Sequence, residues 1–306
     1  MRVDLHQHLW PVGLVEALRQ RTVAPRLVGW TLHLAGEPPY VVAAADHDVT
    51  ARAAQAAADG FDLVGVGLSS PLGLELLDPA QAQPLLEEWH QGAGAFGPPF
   101  VPWASAALVE PDLARIRRDL GRPGVIGLQV PATALATPAG VERIGGVPAV
   151  CADAGVPVLV HPGPVAASGG AQTAALPAWW SALVPYVGQQ NAAWHAWQVA
   201  GAADHPTLRI AFVALAGLAP LHHERLAARG GGPRPEPPDR PDPHVFYETS
   251  SYGWHAIEAV ARVVGAQTLV HGSDRPYATP LDVGADPARA RPLFSTNPTR
   301  LLTVAL

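Results

Sequence analysis

Short apolar runs recur along the chain, separated by longer stretches whose apolar residues follow helical spacing. The runs lie near residues 2–6, 61–68, 100–105, 125–130, 156–161, 208–214, 244–249 and 268–273. Their near-continuous Val, Leu and Ile content is that of parallel strands covered on both faces. Between them, Pro111–Leu120 begins with proline and keeps helical spacing, and Gly140–Ala154 stops at Gly155. Gln190–Ala203 and His255–Val264 follow the same pattern. Eight strands alternating with helices predict an α/β fold, a (β/α)8 barrel spanning residues 1–306 as one domain. A doubly wound open sheet is the competing arrangement. No glycine-rich phosphate fingerprint follows the first strand, which disfavours its nucleotide-binding form.

Two connections are long. Residues 9–45 separate the first strand from a helix starting near Asp46, and residues 230–243 form a Pro-rich polar stretch before the seventh strand. The second reads as a surface excursion, because the last two strands must still close the barrel. No internal repeat is evident.

Composition narrows the function. At 306 residues and 48% hydrophobic, the chain can bury a large core. The net charge of −6, with no basic run, argues against nucleic acid as a partner. No apolar run is long enough to span a bilayer, and no signal-peptide pattern opens the chain, so a cytoplasmic protein without membrane contact is expected. A homodimer is an open expectation. The single cysteine, Cys151, excludes an intrachain disulfide and reads as a buried thiol. All 20 Lys+Arg residues are arginine; the chain has no lysine.

The first strand ends in His6-Gln7-His8, two imidazoles two residues apart and so on one face of a strand. His161 ends the fifth strand and Asp274 follows the eighth. Functional residues of a barrel sit at the C-terminal strand ends, where all four fall. Three imidazoles and a carboxylate suit Zn²⁺ or a similar divalent ion. Taken singly, His161 could cap a strand and Asp274 could cap the turn at Pro276.

With Asp4-Leu5-His6-Gln7-His8, Val158-Leu159-Val160-His161-Pro162-Gly163, Phe246-Tyr247-Glu248-Thr249-Ser250-Ser251 and Gly272-Ser273-Asp274-Arg275-Pro276-Tyr277, the sequence resembles the amidohydrolase superfamily. The likeness is to its amidohydrolase 2 branch, which includes the aminocarboxymuconate-semialdehyde decarboxylase relatives. It implies a distorted barrel with one metal held by His6, His8, His161 and Asp274. The family's histidine at the end of the sixth strand is absent: Ala214 stands there in Ala211-Phe212-Val213-Ala214-Leu215-Ala216-Gly217. His33, His195, His222, His223 or His255 could replace it, although a surface or capping role suits each better. Members with two metals bridge them by a lysine or glutamate on strand four. That strand offers only Gln129 here, so one ion is expected.

Trp10, Trp103 and Trp254 lie near strand ends and are candidate walls of a substrate pocket; helix–barrel packing is the alternative, preferred for Trp194 and Trp197. Arg275 could bind a substrate carboxylate or form a structural ion pair. Glu248 could face the mouth or hold a loop, and His271 reads as structural. The expected activity is hydrolysis of a small C–N or C–O bond in a cyclic amide, ester or lactone with an apolar or aromatic portion. Asp274 would ligate the metal and accept the proton of its water. The alternatives are non-oxidative decarboxylation of an aromatic or enol acid, and a non-catalytic ligand-binding relative.

Overall fold

A computed structural model describes residues 1–166, 176–177, 179–230, 242–281 and 290–303. In chain order the strands are β1 (Val3–His8), β2 (Arg26–Val28), β3 (Thr31–His33), β4 (Tyr40–Val41), β5 (Leu63–Gly67), β6 (Phe100–Ala104), β7 (Gly127–Pro131), β8 (Val158–His161), β9 (Ile210–Phe212), β10 (Val245–Glu248) and β11 (Leu269–Val270). Eight of them form one parallel sheet in the order β1-β5-β6-β7-β8-β9-β10-β11. Its two ends meet: Gln7 bridges Arg275, and Leu5 N, His8 N and Asp274 N donate to His271 O, Arg275 O and His6 O at 2.9, 2.7 and 3.0 Å. The sheet is therefore a (β/α)8 barrel, not an open doubly wound sheet.

The barrel strands are short and almost wholly buried, and apart from β1, which carries Asp4, His6, Gln7 and His8, they are largely apolar runs. Several helices start where a side chain can satisfy one of their first N–H groups. Asp48 accepts from Ala51 N, Asp78 from Ala80 N and Asp112 from Arg115 N. The helix Leu113–Leu120 buries Ile116 and Leu120, with Arg117 and Arg118 in its last turn, where positive charge complements the helix dipole.

Some boundaries differ from those the pattern predicts. The stretch 140–154 is two helices, Pro138–Arg143 and Gly146–Asp153. The last barrel strand has two ladder residues rather than six, because residues 271–275 bond to β1 by single contacts instead of a regular ladder. Residues 9–45 are not a loop. They contain a helix, Val12–Gln20, and the antiparallel sheet β2-β3-β4. Leu14, Leu18, Leu27 and Leu32 share a buried cluster there with Trp10 and Trp89. The Pro-rich stretch lies almost entirely outside the described residues, of which 231–241 are not part.

The register of β1 decides what faces the barrel axis. Asp4 pairs with Val64 but Gln7 with Val66, so β1 carries one extra residue, a β-bulge. Before it, Val3 and Leu5 join Trp103, Leu159, Phe246 and Val270 in one buried cluster. After it, the alternation is reset and His6 and His8 take the inward positions, above that cluster. Gly127 is required beneath: a Cβ there would meet the Trp103 ring at 2.5 Å.

Candidate metal centre

His6 and His8 on β1, His161 at the end of β8 and Asp274 beyond β11 converge. One ligand atom from each lies within 4.8 Å of the others. The three imidazole centroids are 4.8, 4.8 and 4.9 Å apart, with the rings edge-to-face. Asp274 Oδ1 lies 3.3 Å from His8 Nε2 and 3.7 Å from His6 Nε2. All three histidines are buried, and Asp274 is partly exposed toward the cavity.

The outer nitrogens fix how the rings present themselves. His8 Nδ1 donates to Gly67 O at 3.0 Å and His161 Nδ1 to Pro162 O at 2.8 Å, since a carbonyl can only accept. His6 Nδ1 lies 3.5 Å from Glu248 Oε2. His8 and His161 are thereby left with an Nε2 lone pair free for the shared centre, the tautomer that metal ligation needs. His6 Nε2 and His8 Nε2 are 3.0 Å apart. A divalent ion between them could accept a lone pair from each, and with His161 and the Asp274 carboxylate this donor set fits such an ion. Burial works against charging the His6 ring, yet Glu248 and Asp274 hold its pKa above the ordinary histidine value. Burial, with the nearby His6 charge, lowers that of His8 despite Asp274. Burial, with both neighbours, takes His161 well below it.

Glu248, fully buried, is anchored from three sides. It accepts from Ser250 N at 2.6 Å, Ser250 Oγ at 2.8 Å and Ala214 N at 3.3 Å. It thus faces His6 and the turn after β9, not the mouth. Gly272 lets it sit there, because a Cβ at that residue would collide with Glu248 Oε1. The turn itself is left-handed: φ is +49, +50, +55, +58 and +62° at Ala214, Leu215, Ala216, Gly217 and Leu218. Ser251 and Asp274 also have positive φ, at 63 and 57°. Ala214, Ser251 and Asp274 all line one cavity, so the unfavourable backbone conformations gather where function would use them.

That cavity has a volume of about 240 Å³, with the four candidate ligands at its floor. Trp10, Leu72, Tyr186, Val187, Tyr252 and Tyr277 form much of its wall, and Tyr40 reaches it from β4. Trp10 Nε1 donates to Ser69 Oγ at 2.9 Å, and Ser69 Oγ lies 3.3 Å from Tyr277 Oη. Tyr186 Oη donates to Glu37 Oε1 at 2.7 Å, joining the wall to the small sheet's loop.

Of the other residues singled out from sequence, Trp10 lines the cavity and three do not. Trp103 is wholly buried inside the barrel, its Nε1 donating to Leu5 O at 2.9 Å. Trp254 starts the helix Trp254–Val264 and packs against the outer core. Arg275 Nη2 pairs with Asp59 Oδ2 at 3.1 Å, so its guanidinium is turned away from the cavity. The reason is common to all three: proximity to a strand end in sequence does not say which face the side chain takes. Ala214 lines the cavity as expected, but among the described lining residues no histidine other than His6, His8 and His161 is found. His195 instead bonds its own helix through Asn191 O, and His271 packs between Phe61 and Phe294. Ser69, Leu72, Tyr40 and Tyr186 carry no distinguishing pattern in the sequence. Tyr277, three residues past Asp274, could have been found from that nearness.

No family model matches the sequence, and no curated protein does. Solved structures do match over essentially the whole chain. IDCase from Metarhizium anisopliae is 16% identical, covers 100% of this chain and 98% of its own, and superposes with a TM-score of 0.80. A 5-carboxyvanillate decarboxylase from Novosphingobium aromaticivorans, complexed with manganese and 4-hydroxy-3-methoxy-5-nitrobenzoic acid, is 16% identical over 99% of this chain and 96% of its own, with a TM-score of 0.66. A putative amidohydrolase from Staphylococcus aureus is 15% identical over 99% of each chain, with a TM-score of 0.72. With that coverage and closed parallel sheet, the chain has the (β/α)8 barrel fold of the amidohydrolase-type structures.

Proposed function

We propose that the chain belongs to the amidohydrolase 2 branch and is a divalent-metal-dependent enzyme of small acids, with non-oxidative decarboxylation of an aromatic or enol acid as its reaction. One observation carries this reading: the candidate ligands floor an aromatic and apolar cavity in which, among the described lining residues, there is no arginine or lysine. A substrate carboxylate entering it would find its positive partner in the ion alone. The match to the 5-carboxyvanillate decarboxylase over 99% of this chain supports the same choice over hydrolysis.

His6, His8, His161 and Asp274 would hold the ion, zinc being suited to three imidazoles and manganese being the ion of one similar structure. When bound, the ion supplies positive charge that orients the acid and stabilises the charge developing beside it. Trp10, Tyr186 and Tyr252 bury the ring and exclude water. Asp274, once it has taken up a proton from solvent, would deliver it to the ring carbon and return to its carboxylate form; the C–C bond to the carboxylate then breaks, its electron pair stays with the ring, and CO2 leaves. Glu248 keeps His6 oriented throughout.

Hydrolysis of a lactone, ester or cyclic amide remains as a second reading on one observation: Asp274 is the cavity's single carboxylate among the described lining residues, and one carboxylate suffices to take and return the proton of an attacking water. Metal-loaded protein incubated with hydroxybenzoic and enol acids should release CO2, and Asp274→Asn should lower that rate by about 10²-fold or more. Turnover of lactones without CO2 release transfers the assignment to hydrolysis. No turnover of either panel, with ligands still raising Tm, supports a non-catalytic binder.

A further inference from the structure

Three of the four candidate ligands sit on the two chain segments that close the barrel, β1 and residues 273–275. What fixes the distance between those segments is a chain of buried polar groups. Asp4, fully buried, accepts from Ser273 N at 3.0 Å and from His6 N at 3.2 Å through Oδ1. Its Oδ2 accepts from Gln7 Nε2 at 2.8 Å. Gln7 Oε1 in turn accepts from Arg52 Nη2. Arg52, 7% exposed on the helix Val49–Ala58, also donates to His8 O and Asp46 O at 3.0 Å each and to Arg275 O at 3.4 Å.

Every link in this chain touches a neighbour of a candidate ligand. Ser273 and Arg275 flank Asp274, and Gln7 lies between His6 and His8. The bulge of β1 falls between Asp4 and Gln7, so the two paired residues that flank the break in the ladder are the ones tied by the side-chain path. A carboxylate and a guanidinium buried together are stable only when their hydrogen-bonding capacity is used. Here the neutral amide of Gln7 joins them, offering a donor to Asp4 and an acceptor to Arg52. A leucine of similar volume at that position would leave an anion and a cation each short of a partner.

We propose that Asp4, Gln7 and Arg52 form a positioning relay that sets the bite between His6, His8 and Asp274, leaving His161 outside its reach. The relay rests on the metal reading above, and its test separates the two. The wild-type protein, stripped of metal, is titrated with Zn²⁺ and Co²⁺ against a chelator, and the visible spectrum of the Co²⁺ form is recorded. Gln7→Leu should weaken metal affinity by about 10- to 100-fold, the cost typical of losing a partner that orients ligands, and should change the Co²⁺ spectrum. Ile116→Ala, on the helix Leu113–Leu120 and in a core cluster that contains no residue of β1, serves as a control for lost stability and should leave both readouts unchanged. Should Gln7→Leu fail to fold, Arg52→Lys keeps the buried charge but not the branched set of donors, and should shift both readouts the same way. Wild-type affinity and spectrum in the folded relay variants overturn the proposal, as does an equal loss in Ile116→Ala. Failure of the wild type to bind either ion sinks the metal reading itself.

Discussion

At the scale of single residues, the buried carboxyl of Glu75 is the clearest titrating element outside the metal centre. Burial pushes its pKa up to about 7, with only partial relief from the Ser70 hydroxyl. Its Oε2 has no partner among the described residues. The unfolded chain releases this proton near the ordinary glutamate value, before the folded chain does. Stability from this group is therefore fully present below about pH 4.5 and declines as the pH rises toward 7, by about 3 kcal/mol in all. Denaturant midpoints measured across that range should show the decline in the wild type and its loss in Glu75→Gln. A wild-type curve parallel to that of Glu75→Gln would contradict the assignment. His90 behaves oppositely: burial lowers its pKa to about 4 against the pull of Asp119, and its Nε2 accepts from Ser105 N at 3.1 Å. Its contribution is present above the ordinary histidine pKa and is lost as the pH falls from there through about 4.

At the scale of elements, the left-handed turn after β9 stands out. L-residues resist that conformation by roughly 1–2 kcal/mol each, so something outside the turn must hold it. Glu248 grips its first N–H, and Gly217 packs directly against the backbone of the helix Pro185–Ala200. A Cβ at Gly217 would collide with Val187 O, at a residue whose φ is already +58°. Gly217→Ala should therefore cost about 2 kcal/mol or more, read as a lower Tm, and should weaken ligand binding because Val187 and Ala214 both line the cavity. An unchanged Tm would show that the turn is not held in this way. The bulge in β1 is the second decisive element. Without it, strict alternation from Val3 and Leu5 would carry His6 and His8 outward, away from His161.

At the scale of the whole molecule, closure of the barrel assembles the candidate ligand set, so the proposed metal binding links to global stability. An ion that binds only the folded chain stabilises it by about 4 kcal/mol at a thousand times its Kd. Purified protein should hold one divalent ion per chain, and chelation should lower Tm by several degrees. His6→Ala and His161→Ala should each lose most of the ion and most of that Tm difference. Two ions per chain would refute the single-ion reading, which rests on the absence of lysine and on Gln129. The Gln129 amide is committed elsewhere, to Leu68 O and to Ser70 Oγ at 2.8 Å. Among the described residues no helix is long and apolar enough to cross a membrane.

The sequence by itself determined the barrel, because alternation of buried strands and capped helices is a local property of composition and spacing. It also marked His6, His8, His161 and Asp274, since chemistry at strand ends is implied once eight strands are counted. That a histidine is missing at Ala214 came instead from the resemblance to the amidohydrolase family, whose pattern has one there. What it left open depended on side-chain direction and on contacts between distant segments. Trp103, Trp254 and Arg275 lie at strand ends but turn into the core, against the helical layer and toward Asp59. The small sheet in residues 9–45 has strands too short to leave a periodic signal. The bulge, the Asp4–Gln7–Arg52 relay and the hold of Glu248 on both His6 and the left-handed turn join residues up to 269 positions apart. Only closure of the chain on itself could bring those groups within hydrogen-bonding distance, and that closure fixes the geometry of the site.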